Sequence, residues 1–140
     1  MSDAEILRGG CLCGAVRYEA TGAPLWVVHC HCVECRRACG AAFATWAGYR
    51  ATRVRFTTST PKTFASSPDV IRRFCETCGT PLSYESTRFP GELHLMTGTF
   101  DAPNLLTPTR HVWTDEALPW ALHEDGFKRR PRGPAPKPQS

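Results

Sequence analysis

Between residues 11 and 20 the chain alternates, with Val16 and Tyr18 on one face and Arg17 and Glu19 on the other, the two-residue period of a half-buried strand. Thr21-Gly22-Ala23-Pro24 supplies turn chemistry, and residues 25–32, rich in Val and containing Trp26, form a second β-favouring run. Residues 33–39 tolerate a short helix, which Gly40 is placed to end. Further short runs at 43–49, 54–57, 62–65, 70–74, 82–84, 92–97 and 110–114 are each bounded by Gly, Pro, Ser or Asp. No long helical period interrupts them. The pattern predicts a mainly β fold of short antiparallel strands with few or short helices.

Composition refines this picture. The 140 residues suit one domain, and 41% hydrophobic with 21% charged residues is ordinary for a folded chain. The end, KRRPRGPAPKPQS, is basic, rich in proline and almost devoid of apolar residues, so the expected organisation is one domain over 1–127 and a disordered tail over 128–140. The N-terminus has no apolar run of signal-peptide or membrane-span length, which makes the cytoplasm the expected compartment. In that reducing setting the eight cysteines read as metal ligands or reactive thiols rather than disulfides. The formal charge of +4 then overstates basicity, because seven thiolates with two divalent ions lower it by about three units. That argues against nucleic acid as a partner, and nothing points to a membrane.

The cysteines fall into three packets: Cys11 and Cys13; Cys30, Cys32 and Cys35, with Cys39 trailing; and Cys75 and Cys78. On a strand, side chains two apart point the same way. Cys11 and Cys13 can therefore grip one ion together, and Cys30 and Cys32 share a face from which His29 and His31 are turned away. Cys75-x-x-Cys78 followed by Gly79 has zinc-knuckle spacing and supplies half a tetrahedral site. The packet that completes it with two sulfurs is Cys11 with Cys13, giving a closed, structural zinc. Cys30, Cys32 and Cys35 remain as a trio with a vacant fourth position, the arrangement of a catalytic-type zinc. Cys39 is a possible fourth ligand if residues 35–39 make a helical turn, and it can also pack as a small apolar residue.

The segments GGCLCGAVRY (9–18), CHCVECRRA (30–38), RFCETCGTPL (73–82) and GTFD (98–101), followed by His111 and Trp120, resemble the glutathione-dependent formaldehyde-activating enzyme (GFA) family, which includes the centromere protein V domain. The likeness spans roughly residues 8–120. It implies an Mss4-like (β-tent) fold stapled by two zinc ions, with the same quartet and trio of ligands. It also implies an activity, the joining of formaldehyde to the thiol of glutathione to give S-(hydroxymethyl)glutathione. Where relatives carry threonine or serine this chain has Cys39, which leaves a closed second site as an alternative.

The resulting expectation is a zinc-dependent carbon–sulfur lyase that joins or splits a small aldehyde and a thiol such as glutathione. Cys30, Cys32 and Cys35 would act through their zinc, and Arg36 and Arg37 are candidate anchors for substrate carboxylates. Three anionic ligands weaken the ion as a Lewis acid, which favours holding a thiolate over activating water. A non-catalytic two-zinc module that binds protein or nucleic acid is the alternative, and a redox or metal-handling role for Cys39 is a third reading. Glu34 reads as solvent-exposed, and His94 as outward or satisfied. Oligomeric state leaves no mark on the sequence.

Overall fold

The computed structural model describes residues 1–133. It is mainly β. Strands β1 (Ile6–Gly10), β2 (Arg17–Thr21) and β5 (Val54–Phe56) form a three-stranded antiparallel sheet in the order β1-β2-β5. The larger sheet contains β3 (Trp26–Cys30), β4 (Ala44–Arg50), β6 (Lys62–Ser67), β7 (Val70–Phe74), β8 (Pro81–Ser86), β9 (Glu92–Met96), β10 (Arg110–Val112) and β11 (Lys128–Arg129). Its order is β11-β10-β3-β4-β9-β8-β7-β6. A seven-residue helix, α1 (Val33–Cys39), links β3 to β4 and ends at Gly40, whose φ of 70° is the left-handed cap its sequence predicts.

The core joins the two sheets. Leu7, Tyr18 and Ala20 from the smaller sheet cluster with Val27, Ala47, Tyr49, Leu93 and Leu95 from the larger. Phe100 of the GTFD segment sits between Tyr18 and Tyr49, with ring centroids 5.3 and 6.3 Å away. Strand alternation turns Trp26, Val28 and Cys30 of β3 to the opposite face, where Val28, Cys30, Ala44, Trp46 and Val112 bury one another together with Cys35 of α1. Cys30, Cys32 and Cys35 gather on that second face, whereas Cys11, Cys75 and Cys78 pack with the first.

Several elements differ from expectation. Residues 11–16 are a turn rather than strand, with Cys11 N–H donating to Val16 O at 3.0 Å, and β2 starts at Arg17. The pattern did not announce β1, because Gly9 and Gly10 read as a loop; both are small because the sheet is crowded there, and a Cβ on Gly9 would lie 2.4 Å from the Tyr18 hydroxyl. β10 and β11 are parallel additions to an otherwise antiparallel sheet. The expectation of disorder from residue 128 fails for its first part. Arg130 N–H donates to His111 O and Thr114 N–H to Arg130 O, so backbone pairing holds a stretch whose side chains have little to bury. Residues 134–140 of that expected tail lie outside the described residues. No helix among the described residues is long and apolar enough to cross a membrane.

Candidate metal centres and the cavity they border

The first centre joins two turns. One follows β1 and carries Cys11 and Cys13; the other follows β7 and carries Cys75 and Cys78, with Gly79 at φ 80° donating its N–H back to Cys75 O at 2.8 Å. Cys11 and Cys13 Sγ are 3.6 Å apart, Cys13 and Cys75 Sγ 3.8 Å, and all four sulfurs lie within 4.8 Å of one another. A tetrahedron with metal–sulfur bonds of about 2.3 Å has edges of about 3.8 Å, so the quartet fits a four-coordinate ion of zinc's kind. The spacing is far too long for disulfides, and all eight cysteines are free. Thr80 braces this site. Its hydroxyl oxygen accepts from Leu12 N–H at 3.1 Å and lies 3.2 Å from Cys78 Sγ, and its hydrogen bond holds the Cys78 thiol down to about 5.

The second centre contains Cys30 from the end of β3, Cys32 at the N-cap of α1 and Cys35 inside the helix. Their sulfurs also lie within 4.8 Å of one another, with Cys35 and Cys30 Sγ at 3.4 Å. The backbone N–H of Cys35 donates to Cys32 Sγ at 3.3 Å, and Trp46 Nε1 donates to Cys35 Sγ at 3.4 Å. Hydrogen bonds from Cys30 and Cys35 hold the Cys32 thiol well below its ordinary range, and the same sharing pushes Cys30 far up. One thiolate thus forms readily, and an ion must displace the remaining protons.

The trio borders a cavity of about 470 Å³. Trp26, Val28, Trp46, Tyr84 and Trp113 form its apolar walls, and Arg72, Arg110, Glu116 and the Glu92–His94 pair supply its polar points. His94 Nε2 is 3.0 Å from Glu92 Oε1 and its ring stacks on Tyr84 with centroids 5.4 Å apart. Arg72 stands over Tyr84 and pairs with Glu34 at 3.8 Å.

The other anticipated residues are placed elsewhere. Cys39 stays outside the trio, its Sγ 3.9 Å from Arg36 O. Arg37 lines a neighbouring recess with Cys39, and Arg36, whose Nε is buried, does not line the trio cavity. His29 and His31 do turn away from the trio. His31 meets His111 at 2.8 Å, and His111 Nε2 meets Asp125 Oδ2 at 2.7 Å. Sequence reading missed Arg110 and Glu116 at the cavity, although the alternation of Arg110 with Val112 marked the face.

A family model for the glutathione-dependent formaldehyde-activating enzymes matches residues 6–116. The chain belongs to the GFA family. Within this GFA-family chain, both cysteine clusters fall inside the matched span, whereas Asp125 and β11 lie beyond it. A crystal structure of a Rhodobacter sphaeroides protein shares the fold with a TM-score of 0.60, at 22% identity over 88% of this chain and 98% of that one. No curated protein matches the chain.

Proposed function

We propose that this GFA-family chain is a zinc-dependent carbon–sulfur lyase that joins or splits a small aldehyde and a low-molecular-weight thiol such as glutathione at Cys30, Cys32 and Cys35. Cys11, Cys13, Cys75 and Cys78 would hold a structural zinc. The observation that carries this reading is the difference between the clusters. Four sulfurs converge on one point, whereas three border a cavity of about 470 Å³, and three ligands with a free fourth position are what zinc chemistry requires.

A zinc ion at the trio would supply a Lewis acid that keeps a substrate sulfur as thiolate near neutral pH. In the synthetic direction the thiol loses its proton, a sulfur–carbon bond forms to the aldehyde carbon, and the carbonyl π pair moves to oxygen, which takes up a proton. The reverse reaction restores thiol and aldehyde. The chain's own residues prepare the ground. Cys30 and Cys35 are buried, and the Trp46 N–H fixes the Cys35 sulfur. The tryptophan walls make the surroundings of the trio largely apolar, which strengthens electrostatic contacts beside them. Cytoplasmic location fits this use of free thiols.

Metal analysis should find about two zinc ions per chain, and NMR should show a hydroxymethyl thioether forming from glutathione and formaldehyde faster than without protein. One zinc per chain, or X-ray absorption giving four sulfurs on both ions, would remove the open site. Cys39→Thr is expected to leave metal content and turnover unchanged.

A further inference from the structure

Two side chains of opposite charge border the cavity, each with a buried polar atom that has no hydrogen-bond partner among the described residues. Both residues are half-buried and form no ion pair among the described residues, and the unpartnered atoms are Arg110 Nε and Glu116 Oε2. Other charges at the cavity are matched: Arg72 pairs with Glu34, and His94 pairs with Glu92. Arg88 stands exposed at the rim. Unpaired charges are costly away from water, and Arg110 and Glu116 are not within ion-pair distance of each other either, so they do not satisfy one another. A ligand that offers both an acceptor and a donor would complete the pair.

Placement ties them to the metal trio. β10 runs parallel to β3 with Arg110 beside Val28 and Val112 beside Cys30. Arg110 therefore stands on the strand next to Cys30 and one side-chain repeat, about 6.6 Å, along it. Glu116 ends the turn that follows β10. A guanidinium presents paired donors suited to a carboxylate, and a carboxylate suits an ammonium.

We infer that Arg110 and Glu116 form the specificity site for a thiol substrate that carries an α-amino-acid head, Arg110 taking its carboxylate and Glu116 its ammonium. The inference rests on the trio being an open thiol-binding centre. Such a head occurs on a free amino-acid thiol and on the γ-glutamyl end of a peptide thiol.

Cobalt-loaded protein tests this by the sulfur-to-metal absorption that a bound thiol adds. Cysteine, cysteamine, which is cysteine without the carboxylate, and 3-mercaptopropionate, which is cysteine without the amine, are titrated in turn, with homocysteine beside them as the same head on a stem one methylene longer; in the outcomes that follow cysteine behaves as homocysteine does. Homocysteine should bind about tenfold tighter than either truncated thiol. Arg110→Gln should weaken homocysteine and 3-mercaptopropionate and spare cysteamine; Glu116→Gln should weaken homocysteine and cysteamine and spare 3-mercaptopropionate. Neither substitution breaks an ion pair of the described residues, and glutamine keeps most of each side chain's packing, so melting temperatures should change little. Glutathione run beside homocysteine separates the two sources: the ligand is the one that loses affinity in both variants. Equal binding of all thiols, or variants that weaken every thiol alike, would overturn the assignment while leaving the open centre standing. No spectral change with any thiol would instead remove the open centre itself.

Discussion

Thr80 braces the candidate metal site without being one of its four cysteines. Its hydroxyl serves the turn of Cys11–Cys13 through Leu12 N–H and the knuckle through Cys78. Thr80→Val keeps the volume and removes both bonds, so metal affinity at the quartet should fall roughly tenfold, measured by competition with a chelator. Asp101 of the GTFD segment works at the same scale. Arg17 donates to both of its carboxylate oxygens and holds the carboxyl below its usual range. Because the folded value is depressed, this stabilisation is present above the unfolded value near 3.9 and is lost as pH falls through the folded one. Both partners are partly exposed, so the contribution is on the order of 0.5 kcal/mol after screening. Asp101→Asn should accordingly lower stability by on the order of 0.5 kcal/mol at neutrality and flatten the acid limb of a plot of thermal stability against pH, so that the two proteins converge at low pH.

At the scale of elements, α1 and β3 make the trio together, because Cys30 ends the strand, Cys32 caps the helix and Cys35 lies one turn inside it. The geometry therefore depends on a helix of only seven residues, held by its Gly40 cap and by the bond from Trp46 to Cys35. β11 is an addition at the sheet edge. Ending the chain after Phe127 removes the backbone bonds between 130 and residues 111 and 114 but keeps Asp125 against His111. Thermal melting should show a loss of about 1–3 kcal/mol, with metal content unchanged by direct analysis.

Across the whole molecule the two centres carry different loads. The quartet ties a turn near the N-terminus to a knuckle 62 residues later and closes the smaller sheet against the larger. Cys75→Ser should cost several kcal/mol or prevent folding, since metal binding at such a site is folding free energy. Cys32→Ser should lower zinc by about one ion per chain and abolish turnover while the melting temperature stays close to that of the parent. A variant at position 32 that unfolds as badly as the one at position 75 would contradict this division.

The bounds of most strands, the helix at 33–39 and the grouping of seven cysteines were all readable along the chain. Alternation, turn residues and sulfur spacing are local properties, and metal coordination restricts the choice to few pairings. Cys11 and Cys13 were expected to share a face as strand neighbours, whereas a turn brings their sulfurs together. Folding decided the rest. β1 was hidden because its glycines answer to the Tyr18 ring, a partner from another strand. Arg110 and Glu116, instead of the adjacent Arg36 and Arg37, face the cavity because β10 docks in parallel beside β3. Cys39 stays apart from the trio, its sulfur turned to the Arg36 carbonyl of its own helix. Neighbours along the chain are fixed by backbone periodicity, but which distant side chains share a cavity depends on strand order and register, which no short stretch of sequence contains.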